Sequence, residues 1–181
     1  MPNKLFKSTY FYMKQLKETD SQKVFERIEK QVTKAGFRIE KQDRTRPWGG
    51  FFVLDESQAP RFIETYFPHL SVVDFAGYEK LSPKILLVAP NKRLSWQYHF
   101  RRAEIWKVIG GTAGVVVSDT DEQTAVQKLP LGTVINLKQG ERHRLVGLDE
   151  WGIIAEIWQH TDPKNPSDED DIVRVQDDFG R

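Results

Sequence analysis

Gln97, His99 and Glu104, followed about forty residues later by His143, are residue types that can share one metal ion. Two imidazoles and two oxygen-bearing side chains suit Zn²⁺, and equally Fe²⁺, Mn²⁺ or Co²⁺. Spacing strengthens the set. If Leu94 to Arg101 is a strand, alternation turns Ser95, Gln97, His99 and Arg101 to one face and Leu94, Trp96, Tyr98 and Phe100 to the other, so the polar row is the candidate ligand face. Positive charge gathers beside it. Arg101, Arg102, Arg142 and Arg144 flank the ligand segments, and guanidinium groups stay charged and grip phosphate oxygens in pairs. Arg101, Arg142 and Arg144 are therefore candidate phosphate ligands, against the plainer alternative of surface pairing with Glu104, Glu141 or Asp149.

These residues need a scaffold, and the pattern around them predicts a β domain. From about Lys84, short β-branched and aromatic runs alternate with turn residues: Ile85–Val88, Leu94–Phe100, Ile105–Ile109, Val115–Val117, Val134–Leu137 and Ile153–Trp158. Gly110-Gly111, Pro130-Leu131-Gly132, Gln139-Gly140 and Gly147-Leu148-Asp149 read as the turns between them, which suggests a sandwich or small barrel of hairpins. Upstream, apolar Val24, Phe25, Ile28 and Val32 at helical spacing, a Thr19/Gln22 capping pattern and a stop at Gly36 predict a helix. A shorter helix is expected to start at Pro60 and end before Pro68. Trp48-Gly49-Gly50 reads as a turn into a strand. The expected organisation is a helical amino-terminal elaboration with one or two strands over residues 1–68, and a barrel with a carboxy-terminal tail over 69–181.

Composition limits the function. Lys and Arg number 27 against 26 Asp and Glu, so no global field recruits nucleic acid or an anionic membrane, and any anion site must be local. With no cysteine, thiolate catalysis, disulfides and cysteine zinc sites are excluded, which fits a reducing compartment. The start of the chain shows neither a secretory pattern nor a membrane-length apolar run, so a soluble, cytoplasmic protein is expected.

The segment Leu94–Trp106, the Glu141-Arg142-His143-Arg144 turn and the tail Glu169-Asp170-Asp171-Ile172-Val173-Arg174 with Phe179-Gly180-Arg181 together resemble the cupin phosphomannose isomerases. In larger members this module is the carboxy-terminal part of bifunctional mannose-6-phosphate isomerase and mannose-1-phosphate guanylyltransferase enzymes. The resemblance covers about the last ninety residues. It implies a mainly β double-stranded β-helix, or jelly roll. It places Gln97, His99, Glu104 and His143 at ligand positions for one divalent metal ion, zinc first, and sets Arg102 beside them. Two positions depart from the family pattern: Arg101 and Ile105 stand where it has histidines. The activity implied is aldose–ketose isomerisation of a sugar phosphate, mannose 6-phosphate to fructose 6-phosphate, through a cis-enediol. Glu104 is then a candidate base and Arg102 a stabiliser of the enediolate. The alternatives are a non-catalytic cupin that binds a sugar or sugar phosphate, and an isomerase or epimerase of another sugar phosphate such as a heptose phosphate. A homodimer is implied. The acidic tail is expected to be structural, with Ile172 and Val173 packing and Arg174 pairing an acid.

Overall fold

The computed structural model describes residues 16–181. Most of the amino-terminal stretch read above for a targeting segment, through residue 15, lies outside the described residues. Among the described residues nine strands form one antiparallel system: β1 (Ile39–Arg46), β2 (Gly49–Leu54), β3 (Leu81–Val88), β4 (Trp96–His99), β5 (Arg102–Ser118), β6 (Gln127–Leu129), β7 (Val134–Leu137), β8 (Arg142–His160) and β9 (Ile172–Gln176). The main path runs β1-β2-β3-β8-β4-β9, while β5 pairs with β6, β7 and β8. Strands β1 and β2 thus extend the barrel sheet itself, and the helices α1 (Ser21–Lys34) and α2 (Ala59–Tyr66) cover it. Among the described residues no helix is long and apolar enough to cross a membrane.

The axis of the fold is the ladder between β5 and β8, which runs from Arg102 opposite His160 to Ser118 opposite Arg142. The pattern predicts β5 as two short strands split by Gly110-Gly111, and within β8 only Ile153–Trp158 as a strand, with Glu141–Arg144 as a turn. Instead each is one long strand that bends, because the glycines make bulges and close approaches rather than chain reversals. The β5 register shifts on either side of the Gly110-Gly111 pair, and Gly111 has φ +59°. A Cβ there would lie 1.9 Å from the Trp151 carbonyl oxygen. Gly147 is constrained by space alone, since a Cβ would lie 2.0 Å from the Ala89 oxygen.

Strand alternation divides the apolar residues into two cores. On β8, Ile153, Ala155 and Ile157 face outward into a core shared with Val24, Phe25, Ile28 and Val32 of α1 and Phe62 of α2. Ile154 faces inward and packs with Phe51, Leu86, Val108 and Leu145 in the barrel. Both faces being covered explains why β8 reads as an almost unbroken apolar run. The expected α1 starts two residues later than Thr19, because Asp20 is the cap: its carboxylate accepts the Gln22 N–H.

Alternation fails at one place that matters. Strand β4 ends at His99, and the chain bends through Phe100 and Arg101 before β5 begins. The Asp171 carboxylate accepts the backbone N–H groups of both bend residues, at 3.1 and 3.0 Å. Parity shifts by one residue, so Arg102, not Arg101, follows His99 into the barrel.

Replacing Gly111 with alanine is expected to cost about 3 kcal/mol or more, since it adds left-handed strain to a backbone clash. Gly140→Ala, at φ +77° but with nothing within 4 Å, is expected to cost only about 1 kcal/mol. Thermal denaturation of the two variants separates close approach from φ alone.

Candidate active site

His99 closes β4, Glu104 lies near the start of β5 and His143 near the start of β8, and the barrel brings all three side chains together out of solvent. His99 Nε2 is 3.2 Å from Glu104 Oε1, His143 Nε2 is 3.4 Å from Glu104 Oε2, and the two imidazole Nε2 atoms are 3.3 Å apart. Their ligand atoms lie within 4.8 Å of one another. A four-coordinate ion with bonds of about 2.0–2.1 Å sets its ligand atoms roughly 3.3 Å apart, so the triad has the spacing such an ion requires.

Hydrogen bonding fits as well. His143 Nδ1 donates to the Glu141 carbonyl at 2.9 Å, which leaves the Nε2 lone pair facing the triad. His99 Nε2 accepts from Arg102 Nη2 at 3.1 Å, while its Nδ1 is buried with no partner among the described residues. Burial is the main cause that brings the His99 pKa down to about 4, against the opposing pull of Glu104. At neutral pH the ring is therefore uncharged, the form that can ligate. Gln97 borders the triad: its Nε2 is 3.5 Å from His99 Nε2, and its Oε1 accepts from Ser95 Oγ at 2.5 Å.

Glu104 is thoroughly engaged. Arg102 Nε donates to it at 2.7 Å and Trp106 Nε1 at 3.1 Å. Burial alone would raise its pKa, but Arg102, His99 and His143 together hold it well below the usual carboxylate range. Arg102, itself buried, also donates to Ser167 Oγ at 2.8 Å and to the Asp168 carbonyl. Its Cζ lies 3.4 Å from the Trp158 ring centre, and Lys84 Nζ lies 3.1 Å from the same centre. Two cations that close cannot share one face, so the indole is held between them.

The remaining sequence candidates sit elsewhere. Arg101 turns outward to the tail, with Nη2 3.1 Å from Asp168 Oδ1 and Nε 3.5 Å from Asp171 Oδ1. Arg142 pairs with Asp121 at 2.8 Å and lies over the Tyr98 ring. Arg144 is buried against the Leu94 carbonyl at 2.7 Å and against Asp178 at 3.3 Å. None of the three lines the cavity of the barrel. The tail is structural as expected in one respect, since Asp171 fixes the Phe100–Arg101 bend. Arg174, however, has no carboxylate within ion-pair distance among the described residues.

The wall of that cavity includes Gln97, Arg102 and Glu104. It also includes charged residues not singled out from the sequence, among them Lys84 and Glu156. They are register partners on β3 and β8, and Trp106 faces Glu156 from β5, so the three form one inward row. Glu156 Oε1 accepts the Trp106 indole N–H at 2.9 Å, the same N–H that reaches Glu104. Burial, with the Glu104 charge adding to it, pushes the Glu156 pKa up to about 8; burial brings that of Lys84 down to about 8, opposed by Glu156. Of two carboxyls sharing one donor, Glu104 is the one held towards its charged form and Glu156 the one pushed towards its protonated form. A charge inside an apolar strand run, as at Glu156, was the available signal. His160 belongs to a neighbouring network: Nδ1 accepts the Ser167 N–H at 2.9 Å and Nε2 meets Ser82 Oγ at 2.8 Å.

A family model described as mannose-6-phosphate isomerase C-terminal matches residues 62–177. Alginate biosynthesis protein AlgA of Pseudomonas aeruginosa is 33% identical over 132 residues, covering 69% of this chain and 24% of that protein. Xanthan biosynthesis protein XanB of Xanthomonas campestris is 28% identical over 143 residues, covering 75% and 23%. The chain thus spans about a quarter of the length of these curated relatives. Among solved structures, oxalate decarboxylase from Bacillus subtilis at pH 4.6 superposes with a TM-score of 0.52 at 13% identity, covering 74% of this chain and 29% of the other. That likeness is one of fold, and the fold is a cupin.

If the triad holds an ion, zinc stoichiometry measured by elemental analysis after dialysis is expected to approach one per chain. It should fall at least tenfold in His99→Ala or His143→Ala. Arg101→Ala, which touches no triad atom, should leave it unchanged.

Proposed function

The chain belongs to the mannose-6-phosphate isomerase C-terminal family, and from that premise we propose that it is a metal-dependent aldose–ketose isomerase of a sugar phosphate, with mannose 6-phosphate and fructose 6-phosphate as the pair. The observation that carries the reading is the buried His99–Glu104–His143 triad, whose Glu104 lines the same cavity as a second carboxyl, Glu156. An ion held by the triad supplies Lewis acidity, which lowers the cost of negative charge developing on the substrate carbonyl oxygen.

Isomerisation moves a proton from C2 to C1 through a cis-enediol, and one carboxylate on one face of the substrate suffices for both transfers. Glu104 is poorly suited to this, with Arg102, Trp106 and both histidines already on it. Glu156 is suited. Its carboxyl is oriented by the Trp106 indole and has no cation within ion-pair distance among the described residues. Its raised pKa makes the conjugate acid a competent donor back to C1 near neutral pH. Arg102 acts by holding Glu104 and His99 in place.

A second reading, a sugar-phosphate-binding cupin without turnover, draws on Arg102. Its guanidinium already contacts His99 Nε2 and Glu104 Oε1, and a fixed cation at those atoms can stand in for an ion.

One experiment separates the two. Zinc-reconstituted protein is incubated with mannose 6-phosphate in D₂O, and NMR follows fructose 6-phosphate and deuterium at C2. The isomerase reading expects both, and absence of both with Zn²⁺, Fe²⁺, Mn²⁺ and Co²⁺ sinks it. Glu156→Gln is expected to lower kcat by about 100-fold or more with zinc content retained. In the wild type, kcat/KM should rise with pH as Glu156 ionises. The midpoint should lie below 8, because an ion on Glu104 offsets the like charge that helps raise Glu156. Glu156→Gln should lose that limb.

A further inference from the structure

The wall of the barrel cavity carries donors that nothing in the protein satisfies. Trp48 is buried, and its indole N–H has no acceptor among the described residues. The Arg174 Nε is buried and likewise lacks one. Lys84, 7% exposed, packs its ammonium on the Trp158 ring with no carboxylate within ion-pair distance among the described residues. All three residues line the cavity that holds Gln97 and Glu104. Arg174 is the register partner of Gln97 across β4 and β9, which sets it beside the triad.

A buried N–H without an acceptor costs about 1–3 kcal/mol, and an unpaired buried cation costs more. Two unpartnered N–H donors and an ammonium without a counter-ion on one wall call for a ligand that is both acceptor-rich and negative. Of the other basic residues of the wall, Arg102 is engaged with Glu104 and Arg181 with Asp177, while Arg46 lies 2.9 Å from Asp43 as an ion pair in which its Nε makes no hydrogen bond. Glu169 also lines the cavity, but it lies exposed at the rim, where water screens its charge.

We propose that Trp48, Lys84 and Arg174 form the subsite for the phosphate of a phosphomonoester bound in the barrel. The assignment deepens the isomerase reading and rests on it for the identity of the sugar, though not for the anion. A phosphate monoester brings three acceptor oxygens and a charge near −2. The guanidinium engages two of those oxygens in its plane, the ammonium adds a point charge, and the indole supplies a single directed N–H. The subsite replaces the clamp expected at Arg101, Arg142 and Arg144, whose guanidinium groups are taken by Asp168 and Asp171, by Asp121, and by Asp178.

The test is calorimetric titration of the full chain with mannose 6-phosphate, mannose and inorganic phosphate, with zinc and again in chelator. Chelator removes any contribution of the metal to phosphate binding. Wild type is expected to bind mannose 6-phosphate at least about tenfold more tightly than mannose, with inorganic phosphate competing under both conditions. Arg174→Gln and Lys84→Gln should each weaken mannose 6-phosphate at least about tenfold, with zinc content unchanged and Arg174→Lys recovering part of the loss. Trp48→Phe, which keeps the ring and deletes one N–H, should weaken it about threefold. It carries the test should the charge variants fail to fold. Equal affinity for mannose 6-phosphate and mannose, or affinity indifferent to all three positions, overturns the subsite. Binding through Arg174 without turnover keeps the subsite and removes the isomerase reading. Turnover whose KM ignores Arg174→Gln removes the subsite alone.

Discussion

Arg102 and Glu104 meet at 2.7 Å with both side chains shut away from bulk water, and the site is built around satisfying that pair. Removing one partner of a buried ion pair typically costs about 3–5 kcal/mol, because the survivor is left without solvent or counter-charge. A guanidinium has five N–H donors to place. This one spends them on Glu104, on His99, on Ser167 and on the Asp168 carbonyl, and lays its plane near the Trp158 ring. Ser167 in turn donates to Asp171, whose carboxylate holds the Phe100–Arg101 bend that sends Arg102 inward. The circle closes on itself: the tail fixes the bend, the bend aims the arginine, and the arginine holds the tail.

That closure explains which parts of the site were legible in the sequence. His99, Glu104 and His143 were recoverable because donor chemistry and strand parity agree up to the end of β4. Arg101 was misplaced by the same rule, since alternation has no information about a bend held by a carboxylate from about seventy residues further along the chain. Lys84 and Glu156 were passed over, the first because it stands at the margin of the apolar run Ile85–Val88 and the second because it sits inside a run that reads as core. They are visible only once β3, β8 and β5 are laid side by side and the row Lys84–Glu156–Trp106 faces inward.

The fold was legible in kind and less so in its joints. Both helices and strands β2, β3, β4 and β7, with parts of β5 and β8, follow from periodicity, whereas β6 and β9 do not read as strands, and Gly110-Gly111 and Gly147 read as turns although they lie inside strands. A glycine needed for backbone approach and a glycine needed for chain reversal have the same letter. What separates them is a carbonyl from another strand or loop, at Trp151 in one case and Ala89 in the other. The amino-terminal strands show a related effect. Most of β1 is polar and looks peripheral, yet β2 beside it pairs with β3 through the centre of the sheet and contributes Phe51 to the cavity wall.

The span of the β3–β8 pairing also governs when the lumen can exist. Ser82 meets His160 across 78 residues of chain, and the ladder that starts there sets Lys84 opposite Glu156. Such contacts are late and slow events, because loop closure must come before any reward from pairing. Until they form, Lys84, Arg102, Glu104 and Glu156 stay in water, where their charges cost nothing. Desolvation of these charges therefore waits on a long-range ladder rather than on any local hairpin, so the functional cavity closes only when segments far apart in the chain have met.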